Sequence, residues 1–311
     1  MAYLAIVDLG SNSTRMVVEE INPDGTYTEI QRVKEDTRLS EGMGEEAILQ
    51  DFAVARVLKA LKKFRQIYNQ YPAVEIKAIA TAAVRQAKNQ ADFLAQVKAA
   101  VGIDIHVLSG DDEAYYDYLG VEHTLPIENA LLVDTGGASV ELILVKDRQK
   151  VALISVPFGA VSLSEKFGLH DAPTAQAMFQ ANRYVQDIYN QITWLSGAHH
   201  LPIVLLGGAN RTLARMQQAQ TTGILGQNFH GFEMTADQAL DLFELLLSHD
   251  KHGRTTLPGL DANRADIILG GCVPILNLVM TLATPKIIFS ESGVREGIIT
   301  EYMQLLKAQK S

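Results

Sequence analysis

Two short stretches of this sequence end an apolar run on a carboxylate and follow it with small hydrogen-bonding residues: Asp8-Leu9-Gly10-Ser11-Asn12-Ser13 and Asp134-Thr135-Gly136-Gly137-Ala138-Ser139. A plain hairpin turn needs only Asn-Gly or Asp-Gly. Here successive backbone N–H groups and hydroxyls gather around one small concavity, a geometry suited to phosphate oxygens. Asn12, Ser13, Gly137 and Ser139 are the candidate phosphate-binding residues, joined by Gly208 in the later turn Leu205-Leu206-Gly207-Gly208-Ala209-Asn210. Asp134 and Glu141 flank the second loop. Carboxylates there suit Mg²⁺, a hard ion held through one or two carboxylates plus substrate oxygens and water. Glu141 has a second reading, placement of an attacking water. Asp8 is the equivalent position in the first copy, where bonding its own turn amides is the plainer role.

The flanking elements repeat as well. In the first third, strands over 3–8, 15–21 and 27–35 are joined by short turns, the second being Asn22-Pro23-Asp24-Gly25. An amphipathic helix over 48–71 follows, then a strand over 74–81, a helix over 89–102, a strand over 103–109 and a helix over 111–124. The pattern restarts at 130–156 with an apolar strand ending in Asp134, a Gly/Ser turn and two strands in hairpin arrangement. Helices are predicted over 159–168 and 173–197, a strand over 201–208, a long helical region, a strand over 285–291 and a helix over 293–310. Aligned on their aspartates, DLGSNS and DTGGAS mark an internal duplication. The expectation is an α/β protein of two like domains, 1–124 and 125–295, with residues 296–311 packing back on the first. Both loops then face one interdomain cleft, a favoured place for a ligand.

The composition limits the partners. With 36 acidic against 27 basic residues, the 311-residue chain has a formal charge of −9, which disfavours an extended nucleic-acid or anionic-membrane footprint. The amino terminus lacks a basic region and carries Asp8 in its apolar run, so it does not read as a signal peptide. The longest apolar stretch, Ala265 to Ala283, contains Asp266, Pro274 and Asn277 and reads as a buried helix. Its Cys272 is the chain's one cysteine, a core thiol consistent with a reducing cytoplasm. P-loop, serine-hydrolase elbow and zincin motifs are absent from the sequence. His199-His200 and the histidines at 249 and 252 read as solvated connections, the tyrosines at 115, 116 and 118 as packing residues, and Trp194 as the buried face of its helix.

Seven segments in order give the chain a resemblance: VDLGSNSTRMVV at 7–18, ATAAVRQAKN at 80–89, LSGDDEA at 108–114, VDTGGASVEL at 133–142, LLGGANRTLA at 205–214, ANRADIILGG at 262–271 and ESGVREGII at 291–299. The sequence resembles the exopolyphosphatase and guanosine pentaphosphate phosphohydrolase (Ppx/GppA) family, in the actin, Hsp70 and sugar kinase superfamily. The resemblance implies two RNase H-like domains in a short form without the carboxy-terminal helical domain of longer members. It implies Mg²⁺-dependent hydrolysis of the terminal phosphoanhydride of inorganic polyphosphate, with guanosine pentaphosphate as a second substrate, and leaves homodimerisation open. Asp112 stands where a Glu is usual. Ala138 replaces the third glycine of the second loop, at a cost of about 1 kcal/mol if the backbone there needs positive φ.

By resemblance Glu113 matches the family's catalytic glutamate, at the start of the helix over 111–124. The plainer reading of Asp111, Asp112 and Glu113 is a set of acids on a helix amino terminus. Arg85, just after a strand, is the leading candidate guanidinium for phosphate, ahead of Arg38, Arg211, Arg264 and Arg295. Two other functions remain open: an actin-like or sugar-kinase-like ATP phosphotransferase, and a non-catalytic polyphosphate- or alarmone-binding protein.

Overall fold

Leu4, Ala5, Ile6 and Val7 are all buried, so β1 (Ala2–Leu9) is covered on both faces, as a central strand must be. This computed structural model describes residues 2–22, 26–223 and 228–310; positions 23–25 of the predicted Asn22–Gly25 turn lie outside them. The chain forms two compact units, residues 1–110 with 301–311, and residues 111–300.

In the first unit β1 pairs antiparallel with β2 (Thr14–Ile21), which pairs with β3 (Tyr27–Glu35). The outer strand β3 carries charged, exposed side chains that blunt the sheet edge. Helix α1 (Asp51–Tyr68) buries Ala53, Val54, Val57, Ala60, Leu61, Phe64 and Tyr68, one apolar stripe at three- and four-residue spacing. Then come β4 (Glu75–Ala80), parallel to β1, and the helices α2 (Ala82–Gln86) and α3 (Gln90–Val101). The strand predicted over 103–109 shrinks to β5 (His106–Val107), because its ladder with β4 extends over only Ile79–His106 and Ala80–Val107. The sheet order is β3-β2-β1-β4-β5.

The second unit opens with α4 (Gly110–Thr124) and repeats the scheme with β6 (Ala130–Thr135), β7 (Val140–Lys146) and β8 (Gln149–Val156), successive antiparallel neighbours. Helices α5 (Ala160–Phe167) and α6 (Ala175–Tyr189) follow, then β9 (Ile203–Leu206), parallel to β6, and α7 (Gly208–Thr222). β10 (Glu233–Met234), α8 (Ala236–Leu247), α9 (Lys251–Arg254), α10 (Ile268–Leu282), β11 (Ile287–Phe289) and α11 (Val294–Lys310) complete the chain. The order β10-β11-β9-β6-β7-β8 sets an antiparallel hairpin beside parallel strands, as in the first unit. Both sheets therefore have the RNase H-like strand order.

Three expectations are revised. The division falls at 110/111, not 124/125, because Ala114 and Val121 of α4 pack with Leu132, Ile143, Val204 and Ile288 in one apolar cluster. Residues 301–311 cluster with the first unit, where the Tyr302 hydroxyl donates to Glu75 at 2.8 Å. The helix predicted over 173–197 stops at Tyr189. β-Branched Ile192 is in extended backbone, and a 3₁₀ turn over Thr193–Ala198 follows, leaving Trp194 half-buried on that turn.

Helix α10 is buried along nearly its whole length, and burial pushes the Cys272 thiol up to about 12. The His-rich connection serves Arg254, which is fully buried and donates to the carbonyls of Ala265 (2.8 Å), His249 (2.9 Å), His170 (2.9 Å) and Asp171 (3.0 Å). Among the described residues no helix is long and apolar enough to cross a membrane.

Candidate active site

The two duplicated loops are built by the same local device. Gly10 N–H donates to the Ser13 carbonyl at 3.1 Å, and Gly136 N–H to the Ser139 carbonyl at 3.0 Å. A β-carbon at Gly10 would lie 3.0 Å from that carbonyl oxygen, and one at Gly136 3.2 Å from its counterpart, so the first loop position favours glycine. Leu9 then pairs with Thr14, and Thr135 with Val140, each hairpin closing around its four-residue loop.

The second loop is fastened from behind. The amides of Ala160 and Val161, at the start of α5, donate to the carbonyls of Gly136 and Gly137 at 2.9 and 2.8 Å. Gly159 makes this approach feasible, since a β-carbon there would come within 2.7 Å of backbone atoms of Gly136, Gly137 and Ala138. None of Gly136, Gly137 and Ala138 has positive φ. The strain anticipated for Ala138 is therefore absent, and its buried methyl is an ordinary packing group.

Across the second hairpin Asp134 is directly opposite Glu141. Glu141 is buried and accepts from the Ser155 hydroxyl at 2.7 Å and from Ser139. The Ser139 hydroxyl is thus engaged by the carboxylate, which leaves its backbone amide for a ligand. Burial, with Glu113 and Asp134 nearby, pushes the Glu141 carboxyl well above its ordinary range, partly offset by the two hydroxyls.

Glu113 is in the first turn of α4 and is buried. The same helix face carries Ala114, Asp117, Gly120 and Val121, so two acids occupy positions of an otherwise apolar stripe. Asp117 is the residue that sequence reasoning missed, although its spacing of four from Glu113 was a usable signal. Burial, then Asp134, Glu141 and Glu113, raise its carboxyl well above the usual range, and the Val294 amide opposes this. The glycines of the 291–299 segment explain the approach of α4. A β-carbon at Gly120 would strike the Gly293 carbonyl, and one at Gly297 the Tyr116 carbonyl.

The turn after β9 completes this group. Gly207 has φ +90°, and a β-carbon there would strike the Asp134 carboxylate and lie 2.6 Å from the Thr135 carbonyl. Gly208, at the start of α7, has the buried Arg264 guanidinium against it, so Arg264 ranks above its place among the weaker candidates. Arg211 donates to the Gly207 carbonyl at 3.2 Å, and Asn210 ties α7 to β6 through Thr135 (3.4 Å). Arg295 pairs with its neighbour Glu296.

The remaining candidates belong to the first unit. Asp8 is half-buried opposite Arg15, whose Nε donates to the Ser13 hydroxyl at 3.1 Å. The Asn12 Oδ1 is buried without a hydrogen-bond partner, while its carbonyl accepts from Arg38, itself at φ 45°. Arg85 is half-buried on α2 and donates to the Leu108 carbonyl at 3.0 Å; its helix starts at Thr81, whose amide reaches Leu9 at 3.3 Å. Thus Glu113, Asp134, Glu141, Gly137, Ser139 and Gly208 share one unit, and Asp8, Asn12, Ser13 and Arg85 the other. Among the described residues, no three His, Cys, Asp or Glu side chains already form a cage for a metal ion.

Duplicated RNase H-like units, one bearing buried acids beside an amide-lined loop, suit an enzyme that handles phosphoryl groups. The Ppx/GppA phosphatase family profile matches residues 17–306, and the chain belongs to that family. It is 28% identical to a Haemophilus influenzae protein named provisionally as an exopolyphosphatase, over 95% of this chain and 90% of that one. It is also 28% identical to a Fusobacterium nucleatum bifunctional 3-dehydroquinate synthase/phosphatase, covering 96% of this chain and 46% of the longer protein. The crystal structure of an Aquifex aeolicus Ppx/GppA family member superposes with a TM-score of 0.79 at 29% identity, over 100% of this chain and 99% of that one. A Cytophaga hutchinsonii exopolyphosphatase shares the fold, with a TM-score of 0.89 at 22% identity over 97% and 98%.

Proposed function

We propose that this chain is an exopolyphosphatase, which hydrolyses the terminal phosphoanhydride of inorganic polyphosphate to orthophosphate and accepts guanosine pentaphosphate as a second substrate. The observation that carries this reading is the group of acids, buried Glu113 and Glu141 with half-buried Asp134, beside the amide-rich loop 136–139. Family membership and a relative bearing an exopolyphosphatase name support it.

Phosphoanhydride hydrolysis needs an oriented water, a base for its proton and donors that hold charge on the phosphoryl oxygens. In this reading Glu113 takes the proton from the attacking water, and burial keeps competing water from the carboxylate. The amides of Gly137, Ser139 and Gly208, with the Arg264 guanidinium behind Gly208, bind phosphoryl oxygens. Asn12, Ser13 and Arg85 are the phosphate contacts assigned to the first unit.

Mg²⁺ fits the donor set. Asp134 and Glu141 are hard oxygen donors opposed across a hairpin with like charge, and this ion needs only one or two protein carboxylates. Asp134 and Glu141 of the second unit would hold it. The ion supplies neutralisation of charge on the phosphoryl oxygens. The test is orthophosphate release from polyphosphate, guanosine pentaphosphate and ATP, each with Mg²⁺ and with a chelator. Release from polyphosphate that requires Mg²⁺ is expected; release from ATP alone would assign the chain to nucleotide chemistry instead.

A further inference from the structure

Strand β10 pairs antiparallel with β11, and the pairing continues past both. Gly231 N–H donates to the Phe289 carbonyl at 2.8 Å, and Phe289 N–H to the Phe232 carbonyl at 2.9 Å. This sets half-buried His230 beside the turn that follows β11, and both of its ring nitrogens are used there. Nδ1 accepts from the Glu291 amide at 3.2 Å, and Nε2 is 3.2 Å from the carbonyl of Thr124, the last residue of α4. A ring nitrogen that accepts from an N–H carries no proton, so the neutral imidazole has its proton on Nε2, where it is donated to the Thr124 carbonyl. One tautomer thus bridges the end of α4 and the turn over 290–293.

That turn is the seat of α4. Ser290 and Ser292 are buried, the Ser290 hydroxyl donating to the Ser292 carbonyl (2.9 Å) and accepting from its amide (3.1 Å), while Gly293 N–H donates to the Glu296 carboxylate at 2.9 Å. The Val294 amide bonds the Asp117 carboxylate, and Gly120 packs on Gly293 with no room for a β-carbon. Helix α4 is therefore held at two levels, in its middle by Asp117 and Gly120 and at its last carbonyl through His230. Two ties fix a helix in direction as well as position, whereas one leaves it free to pivot. Glu113 is in the first turn of this helix. A tilt of about 5° about Gly120 moves it by roughly 1 Å, and a misplacement of that size can cost about a hundredfold in rate. We propose that His230, as the Nε2–H tautomer, is a positioning residue for the reaction: it clamps the carboxyl end of α4 to the 290–293 turn and so aims Glu113 at the attacking water. This rests on the reading of Glu113 as the base of a phosphohydrolase.

The experiment joins nuclear magnetic resonance, hydrogen exchange and kinetics on the full chain. Long-range proton–nitrogen spectra of histidine-labelled protein at about pH 8, where an ordinary imidazole is neutral, should show His230 as the Nε2–H tautomer, its signals assigned by their loss in His230→Asn. Asn retains an acceptor near the place of Nδ1 and Gln a donor near that of Nε2, so each keeps one tie of the two. In His230→Asn and His230→Gln the α4 amides should exchange faster than in the wild type. Both variants should lower kcat for orthophosphate release from polyphosphate by about tenfold, with KM within about twofold, because helix placement and not substrate contact is lost. His230→Ala should lose at least as much, and His252→Gln, at an exposed histidine of α9, should change none of these readouts. An Nδ1–H tautomer overturns the proposal, as does unchanged α4 exchange or a kcat within about twofold of wild type in the folded Asn and Gln variants. A loss carried wholly by KM, or wholly by the fraction of folded protein, overturns it as well. A wild type with the Nε2–H tautomer and an α4 that His230→Asn loosens, but with no orthophosphate released from polyphosphate, overturns the hydrolase reading and leaves the clamp standing.

Discussion

The two loop hairpins share a backbone and differ in charge. In the first, Asp8 has Arg15 opposite it; in the second, Asp134 has Glu141 at the same register. Opposite charges across an antiparallel pair stabilise it and like charges destabilise it. The first hairpin therefore balances its own charge and serves as a scaffold for the loop amides. The second does not, and two more acids, Glu113 and Asp117, stand near it on α4. Duplication supplied one device twice, and only the copy carrying excess negative charge has the makings of a cation-assisted hydrolytic centre.

The largest effect should come from Glu113→Gln, which lowers turnover by about a hundredfold or more, the scale for loss of a general base. Steady-state phosphate release measures it, while a thermal scan shows the fold intact. Near wild-type turnover would transfer the base role to Glu141.

A paired substitution tests the hairpins against each other. Glu141→Gln should cut turnover by about tenfold or more and raise the metal-free melting temperature, because it removes a repelled buried charge. Arg15→Gln should act in the opposite sense on stability, costing about 0.2–1 kcal/mol, with a smaller kinetic effect. Equal losses of turnover in the two variants would abolish the distinction between scaffold and reactive centre.

The same contrast predicts a pH dependence. Asp117 and Glu141 have raised folded-state pKa values, so the folded protein retains protons that the unfolded chain has released. Their contribution to stability is complete below the ordinary carboxylate range, about pH 4, and declines as pH rises toward and through the raised values. Urea denaturation in chelator at a series of pH values should show a falling midpoint above that range, with a shallower fall in Glu141→Gln. A midpoint that climbs equally in both proteins contradicts the clustering of charge.

The smallest effect belongs to the second loop itself. Ala138→Gly restores the glycine usual in the family at a position without positive φ, and should destabilise by about 0.4–1 kcal/mol through the freer unfolded chain. Turnover should hardly change. A marked gain in turnover would mean that the loop must adopt a left-handed backbone during the reaction.

Much of this was legible in the residues because it is written in short-range spacing. A loop of small residues after a strand-ending aspartate, repeated once, marks the two hairpins. Glu113 occupies a helix start whatever the rest of the chain does, and Asp134 and Glu141 are brought opposite by the length of their loop alone. The limits of local reading appear where a segment's fate depends on a distant neighbour. The strand predicted over 103–109 had the right pattern but found only two residues' worth of partner, and the Ala138 penalty was a guess about φ that composition does not reveal.

By itself the sequence determined the α/β duplication, the family and the identities of the loop residues, since each follows from periodicity, turn chemistry or motif within a few residues. Tertiary structure alone decided that α4 belongs with the second unit and that Arg264 backs Gly208. It also decided that Arg254 is buried among four carbonyls and that Asp117 is buried on α4 within the field of Asp134, Glu141 and Glu113. The physical reason is the same in each case. Burial and electrostatic pairing join residues far apart in the chain, and a charge becomes informative only when the groups that solvate it, or fail to, are known.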